Sequence, residues 1–193
     1  MNIFKCLLTV VILFSASSAM AFDDDRDGFF MGFGIGVHSL NNDYFFYDSK
    51  MQTDSKNGLA TSFKIGYGFT EQVALYYIRN ASWFNDSYSD GYSTSDTLYT
   101  IGMGGLGITY YFSSSAPSAY LMLASGVGDI SAPLESNATS DTGCANLFGV
   151  GYEFSKHVTS ELTLLKADIE SSYDSRLRLE STSLQLTINY VFY

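Results

Sequence analysis

The chain has 193 residues and carries 20 Asp and Glu against 10 Lys and Arg, a formal net charge of −10. That acid excess disfavours a nucleic-acid partner, because neutralising phosphates takes clustered Lys and Arg. With only 2 cysteines and 2 histidines, neither a disulfide framework nor a Cys/His metal site is expected, and no cofactor is implied.

Residues 1–21 read as a secretory leader. Lys5 supplies the positive n-region, Leu7 to Phe14 the apolar stretch, and Ala19-Met20-Ala21 the small-x-small cleavage pattern. The apolar stretch is shorter than the roughly 20 residues of a spanning helix. Cleavage leaves one domain, 22–193, with Cys144 as its single thiol.

Beyond the leader the chain alternates apolar and polar residues with period two, the signature of half-buried strands. Eight strands are predicted near 28–40, 58–69, 72–82, 97–112, 117–128, 142–154, 157–168 and 181–193. The segments between them run long at 41–57, 83–96 and 129–141, intermediate to long at 169–180, and short at 70–71, 113–116 and 155–156. Long connections alternating with tight turns are the asymmetry of a transmembrane barrel, with loops on one side of the bilayer and turns on the other. The fold expected is all-β: an eight-stranded antiparallel up-and-down transmembrane β-barrel. An even strand count places both termini on the periplasmic side.

The phases support this. Phe29, Met31, Phe33, Ile35 and Val37 alternate with Phe30, Gly32, Gly34, Gly36 and His38. Leu121, Leu123 and Val127 oppose Tyr120, Met122, Ala124, Gly126 and Gly128, and Phe148, Val150, Tyr152 and Phe154 oppose Leu147, Gly149, Gly151 and Glu153. One face is bulky and apolar, the other small with occasional charges. Lys64 sets the direction. It lies mid-strand, where a lipid-facing Lys would cost about 2–4 kcal/mol, so it is expected in the lumen. Glu161, in phase with Thr159 and Thr163, belongs there too. A structural lumen network of Lys64, Glu161, Glu153 and Arg79 is expected, each charge neutralising another.

The strand Val73–Arg79 fits either phase. The next strand changes phase at Gly104-Gly105, which suggests a β-bulge. Tyr67, Phe69, Tyr110, Tyr111, Phe112, Tyr152, Phe154, Tyr190, Phe192 and Tyr193 would mark the periplasmic interface, and Trp83, Phe84 and Tyr99 the outer one.

With the leader, the glycine-rich strand Met31-Gly-Phe-Gly-Ile-Gly36, the segments Ser125-Gly-Val-Gly128 and Gly149-Val-Gly-Tyr152, and the aromatic C-terminus, the chain resembles the small eight-stranded outer-membrane barrels. These are the OmpA transmembrane domain, OmpX/Ail and the opacity-type surface proteins. The resemblance spans essentially all of 22–193. It implies a bacterial outer-membrane location among phospholipid and lipopolysaccharide. It also implies recognition by the barrel-assembly machinery through a C-terminal signal, here Tyr190, Phe192 and Tyr193. The family ends on the lipid-facing aromatic, a phase held here by Tyr190 and Phe192, so Tyr193 is one residue extra.

Three functions are compatible with such a barrel. The first is non-enzymatic surface interaction or adhesion, or envelope integrity. The outer segments carry Asp43, Asp48, Asp54, Asp86, Asp90, Asp96, Asp129, Glu135, Asp141, Glu170, Asp174 and Glu180, together with Tyr44-Phe-Phe-Tyr47, Trp83-Phe84, Tyr88, Tyr92 and Tyr173. Aromatic anchors of this kind fit a host or surface ligand. The second is a small porin-like channel for ions or hydrophobic solutes. The third, lipid A modification, resembles the deacylase and palmitoyltransferase families. It is disfavoured because His157 lies at the periplasmic end and Ser39 points away from His38. No catalytic residue is therefore assigned.

Overall fold

The computed structural model describes residues 26–47, 49–89, 94–135, 140–174 and 176–193. The leader lies outside them, as do Asp48, Asp90 and Tyr92 of the outer segments.

Eight strands follow one another: β1 (Gly28–Phe46), β2 (Ser49–Thr70), β3 (Val73–Ser89), β4 (Thr94–Tyr111), β5 (Ser118–Ser131), β6 (Asp141–Ser155), β7 (Val158–Glu170) and β8 (Leu177–Phe192). Each pairs antiparallel with the next, and β8 returns to β1, closing the barrel. Closure leaves no strand edge unpaired, the condition for crossing hydrocarbon with strands. Paired residues traced from Leu59 run through Val37, Leu186, Leu162, Val150, Leu121, Tyr110 and Val73. They come back to β2 at Thr70 instead of Leu59. The strands are therefore staggered and tilted, as a closed sheet requires.

The outward set is apolar. Phe33, Ile35, Val37, Leu123, Phe148, Leu162, Leu186, Ile188 and Tyr190 are all exposed. Ser62, Lys64, Thr159, Glu161, Thr163, Gln185, Thr187 and Asn189 are buried inside. Grease faces out and polar groups face the axis, the reverse of a water-soluble barrel. This is a transmembrane barrel of the outer-membrane type, with both ends of the described chain on the periplasmic side. No helix among the described residues is long and apolar enough to cross a membrane.

Several expectations change. The segments 41–57 and 83–96 are not open loops: β1 pairs with β2 as far as Phe46 and Ser49, and β3 pairs with β4 as far as Ser89 and Thr94. Alternation is weak there because residues such as those of 49–57 are polar on both faces and largely exposed. The bulge at Gly104-Gly105 is absent, since β4 keeps unbroken register with β3 and β5. Its odd residues stay inside throughout, so the apolar Ile101 and Met103 are fully buried in the lumen. They join Leu40, Ile78, Leu147, Leu165, Ile169 and Leu179 in the buried apolar cluster of the interior. The apparent change of phase is a change of interior chemistry, from small and polar below to aliphatic above. Tyr111 and Tyr193 also turn inward, as do Phe84 and its stacked neighbour Tyr99. Trp83 alone of the three expected outer-interface aromatics stays on the outside, donating from Nε1 to Thr61 Oγ1 at 2.9 Å.

Candidate functional site

Two regions carry the chemistry of this barrel, the charged lumen and the extracellular mouth. In the lumen, Lys64 of β2 meets Glu161 of β7 in a buried ion pair. The Glu161 carboxylate also accepts from the Tyr120 hydroxyl at 2.5 Å. Lys64 lies 5.7 Å from the Tyr76 ring centroid, and the Tyr76 hydroxyl accepts from Thr109 at 3.0 Å. These partners satisfy two charges that burial would otherwise make costly. Tyr120 reaches Glu161 because Gly151 gives its ring room. A Cβ on Gly151 would stand 2.2 Å from Tyr120 Cζ.

Glu153 does not join that pair. It lies nearer the periplasmic end and pairs with Arg26, a residue absent from the sequence reading. Arg26 plugs the lower mouth. It donates to the carbonyls of Glu71 at 3.1 Å and Ser113 at 2.7 Å, and stacks 4.3 Å from the Tyr111 ring centroid. Tyr193 closes the ring of contacts, 3.2 Å from the Tyr111 hydroxyl and 3.4 Å from Glu153. The only signal for Arg26 was a lone cation in the acidic run Asp23–Asp27, and strand periodicity does not reach that far.

Arg79 is a correction. It stands on the outward face between buried Ile78 and Asn80, where it forms a two-pronged pair with Asp129 of β5, one contact measuring 2.8 Å. Outward positions between them on β4 are Gly102 and Gly104, which leave the side chains space to meet. The four expected lumen charges thus separate into three pairs in three places. Tyr190 and Phe192 lie on the lipid-facing set and are exposed, whereas Tyr193 is buried in the periplasmic plug.

Above the Lys64 pair a polar column follows β8. Asn80 Nδ2 donates to Gln185 Oε1 at 3.0 Å, and Gln185 Nε2 donates to Ser82 Oγ at 3.0 Å. Ser82 and Ser183 hydroxyls lie 2.7 Å apart. His38 Nε2 lies 3.0 Å from the Trp83 carbonyl, and Ser39 faces outward and exposed. His157 Nδ1 lies 2.9 Å from the Val191 carbonyl at the periplasmic end. Among the described residues, no group of three or more His, Cys, Asp and Glu could hold a metal ion.

The extracellular mouth is tied by its own contacts. The Tyr47 amide donates to the Arg176 carbonyl at 2.8 Å, linking the β1–β2 and β7–β8 turns. The Arg176 guanidinium lies 5.4 Å from the Phe46 ring and 2.8 Å from Asp174. The guanidinium, with its hydrogen bonds, holds the Asp174 carboxyl down at about 2. Lys50 similarly lowers Asp43 from a distance of 2.8 Å. Lys56 joins β2 to β3 by pairing with Asp86 at 3.0 Å. Inside this frame lies a cavity of about 220 Å³ lined by Tyr44, Phe45, Met51, Ile130, Ile169 and Leu179, with Asp141 and Arg178 also on its wall.

A family profile for the outer membrane protein β-barrel domain matches residues 7–192. The chain belongs to this family. Among solved structures, Ail, the attachment invasion locus protein of Yersinia pestis in complex with the heparin analogue sucrose octasulfate, aligns at 13% identity and a TM-score of 0.54. That alignment covers 85% of this chain and 99% of Ail. Neisserial surface protein A aligns at 14% identity and a TM-score of 0.55, covering 84% of this chain and 96% of that one. At these identities the likeness speaks to the fold. Comparison with curated protein sequences gave no match. Membership places the barrel among outer-membrane lipid and lipopolysaccharide and makes the barrel-assembly machinery its partner in biogenesis.

Proposed function

We propose that this is a non-enzymatic surface-recognition barrel whose extracellular mouth takes an amphipathic, cationic partner. The observation that carries this reading is the apolar cavity of about 220 Å³ held open between hairpins in an acid-rich rim. Asp141 stands on its wall, Asp43, Asp54, Asp86, Glu170 and Asp174 belong to the same outer segments, and the cations Lys50, Lys56, Arg176 and the wall residue Arg178 are already paired with carboxylates. Ail is seen with a polyanion, but an acidic rim repels one. A partner that inserts an apolar side chain and offers Lys or Arg around it complements the mouth. The test displays the full chain on cells and measures binding of a fluorescent Lys- and Leu-rich amphipathic peptide. Wild type should bind more than Phe45→Ser/Leu179→Ser, and heparin should not bind. Equal binding by the two proteins contradicts the reading.

A second reading, a small conductance, rests on polar atoms in the upper lumen. His38 Nδ1, Asn42 and Ser181 are buried without a protein partner, and such atoms hold internal water. Opposing it, the void lined by Lys64, Glu161, Tyr111 and Tyr120 is only about 20 Å³, room for about one water. Single-channel recording in planar bilayers separates the readings. Lipid A chemistry finds little support, since Ser39 and His38 face opposite sides of the wall. We also propose that Tyr190, Phe192 and Tyr193 act as the assembly signal, with the first two presenting rings outward.

A further inference from the structure

The lipid-facing wall of β3 to β7 is not smooth. A groove of about 460 Å³ runs along it, walled by Leu75, Leu106, Ile108, Leu123, Phe148 and Leu164. Its upper part is polar, with Ser125, Asn146 and Lys166. Ser125 pairs with Asn146 and Asn146 with Lys166, so the three stand side by side on adjacent strands, all facing outward. The groove forms because Ser125 is short between the bulky Leu123 and Val127, and Asn146 is short above Phe148.

This groove is not a side exit from the lumen. The β3–β4, β4–β5 and β5–β6 ladders are unbroken, and the single irregularity of β6–β7 lies at its periplasmic end, at Glu153–Ser155. Ala124 and Leu147 contribute to its floor while their side chains are buried inward. It opens only to the bilayer, running from Leu75 and Ile108 near the periplasmic ends of β3 and β4 to a polar end at Lys166 on the extracellular half of β7.

Lys166 distinguishes its occupant. Lys50, Lys56, Arg79, Arg176 and Arg178 are all committed to carboxylates. Lys166 is exposed and has no ion-pair partner among the described residues. Its neighbour on the same face, Asp168, is engaged by Arg178 at 3.6 Å. A cation on a lipid-facing wall is favourable where it reaches the headgroup layer and meets an anion. We propose that the groove is a binding site for one phosphorylated, acylated glycolipid of the outer leaflet, the lipid A part of lipopolysaccharide. An acyl chain lies between Leu123, Phe148 and Leu164. A phosphate meets Lys166, with Asn146 and Ser125 donating to the phosphate or to the sugar. The site is separate from the extracellular mouth, and its assignment does not depend on the role proposed for the mouth.

The test uses native mass spectrometry of the full chain refolded in detergent, with bis-phosphorylated lipid A as probe. Three comparison lipids are run: dephosphorylated lipid A, phosphatidylglycerol and phosphatidylcholine. Wild type should retain one lipid A. Lys166→Gln should weaken retention about tenfold, as expected for loss of a charged hydrogen bond, and Lys50→Gln should not change it. Ser125→Leu fills the groove while leaving Lys166 in place, and should lower retention independently of charge. Heat-modifiable gel mobility confirms that each variant is folded. Equal retention by wild type and Lys166→Gln overturns the proposal, as does equal retention of dephosphorylated lipid A or of phosphatidylglycerol.

Discussion

Lys64 and Glu161 lie 97 residues apart in the chain and meet inside the barrel, one from β2 and one from β7. Their pairing shows the direction of the wall, because each is buried while its outward neighbours Ile65 and Leu162 face the lipid. Removing one partner leaves a buried charge with no counter-ion, a loss of about 3–5 kcal/mol. Lys64→Ala should therefore lower the urea midpoint of the refolded barrel while leaving insertion intact. Lys64→Met/Glu161→Met should recover much of that loss, since apolar replacement of both charges is often neutral. A midpoint for Lys64→Ala equal to wild type would place Lys64 elsewhere.

Tyr120 depends on Gly151 for its reach to Glu161. Gly151→Val would put side-chain atoms where the Tyr120 ring now lies, at a cost of about 1–3 kcal/mol for overpacking. Gly151→Val should lower the urea midpoint, and adding Tyr120→Ala should restore part of it. Additive losses in the double variant would contradict the contact.

Arg79 and Asp129 pair on the outer wall, partly shielded from water and close to lipid. Arg79→Leu alone strands the Asp129 carboxylate and should destabilise the barrel. Arg79→Leu/Asp129→Leu should be at least as stable as wild type, because two aliphatic side chains suit this surface better than an ion pair. Chemical denaturation of the three proteins in one lipid checks the order.

Asp174 gives a pH dependence. Its folded-state pKa is depressed to about 2, so its contribution to holding the outer turn is complete above the unfolded carboxyl value, about 3.9. That contribution fades as pH falls from there toward 2. The Asp174 carboxyl resonance should titrate near 2 in wild type and near 4 in Arg176→Gln. The pair lies at the surface, with Asp174 partly covered, so overall barrel stability should change little.

Strand number, order and most facing directions were legible because period-two alternation survives wherever one face is lipid and the other small or polar. The Leu121–Val127 and Phe148–Phe154 sets face as their pattern implies. The pattern fails where the lumen itself turns apolar. With Ile78, Ile101 and Met103 inside and Arg79, Gly102 and Gly104 outside, β3 and β4 reverse the usual polarity of their upper halves. Only the sheet register, which a single strand does not carry, resolves their phase. Arg26 was illegible for another reason: it precedes β1 and is placed by Glu153, which is 127 residues away.

The central claim is that the wall is lipid-facing on one set of aliphatic side chains and closed to lipid on another. Methyl-labelled protein in micelles doped with a fatty acid spin-labelled near its chain end tests this residue by residue. The methyl resonances of Ile35, Leu123, Leu186 and Ile188 should broaden strongly, and those of Ile78, Ile101, Leu147 and Leu165 should remain sharp. Broadening of the second set, with the first set spared, would turn the barrel inside out and contradict the account.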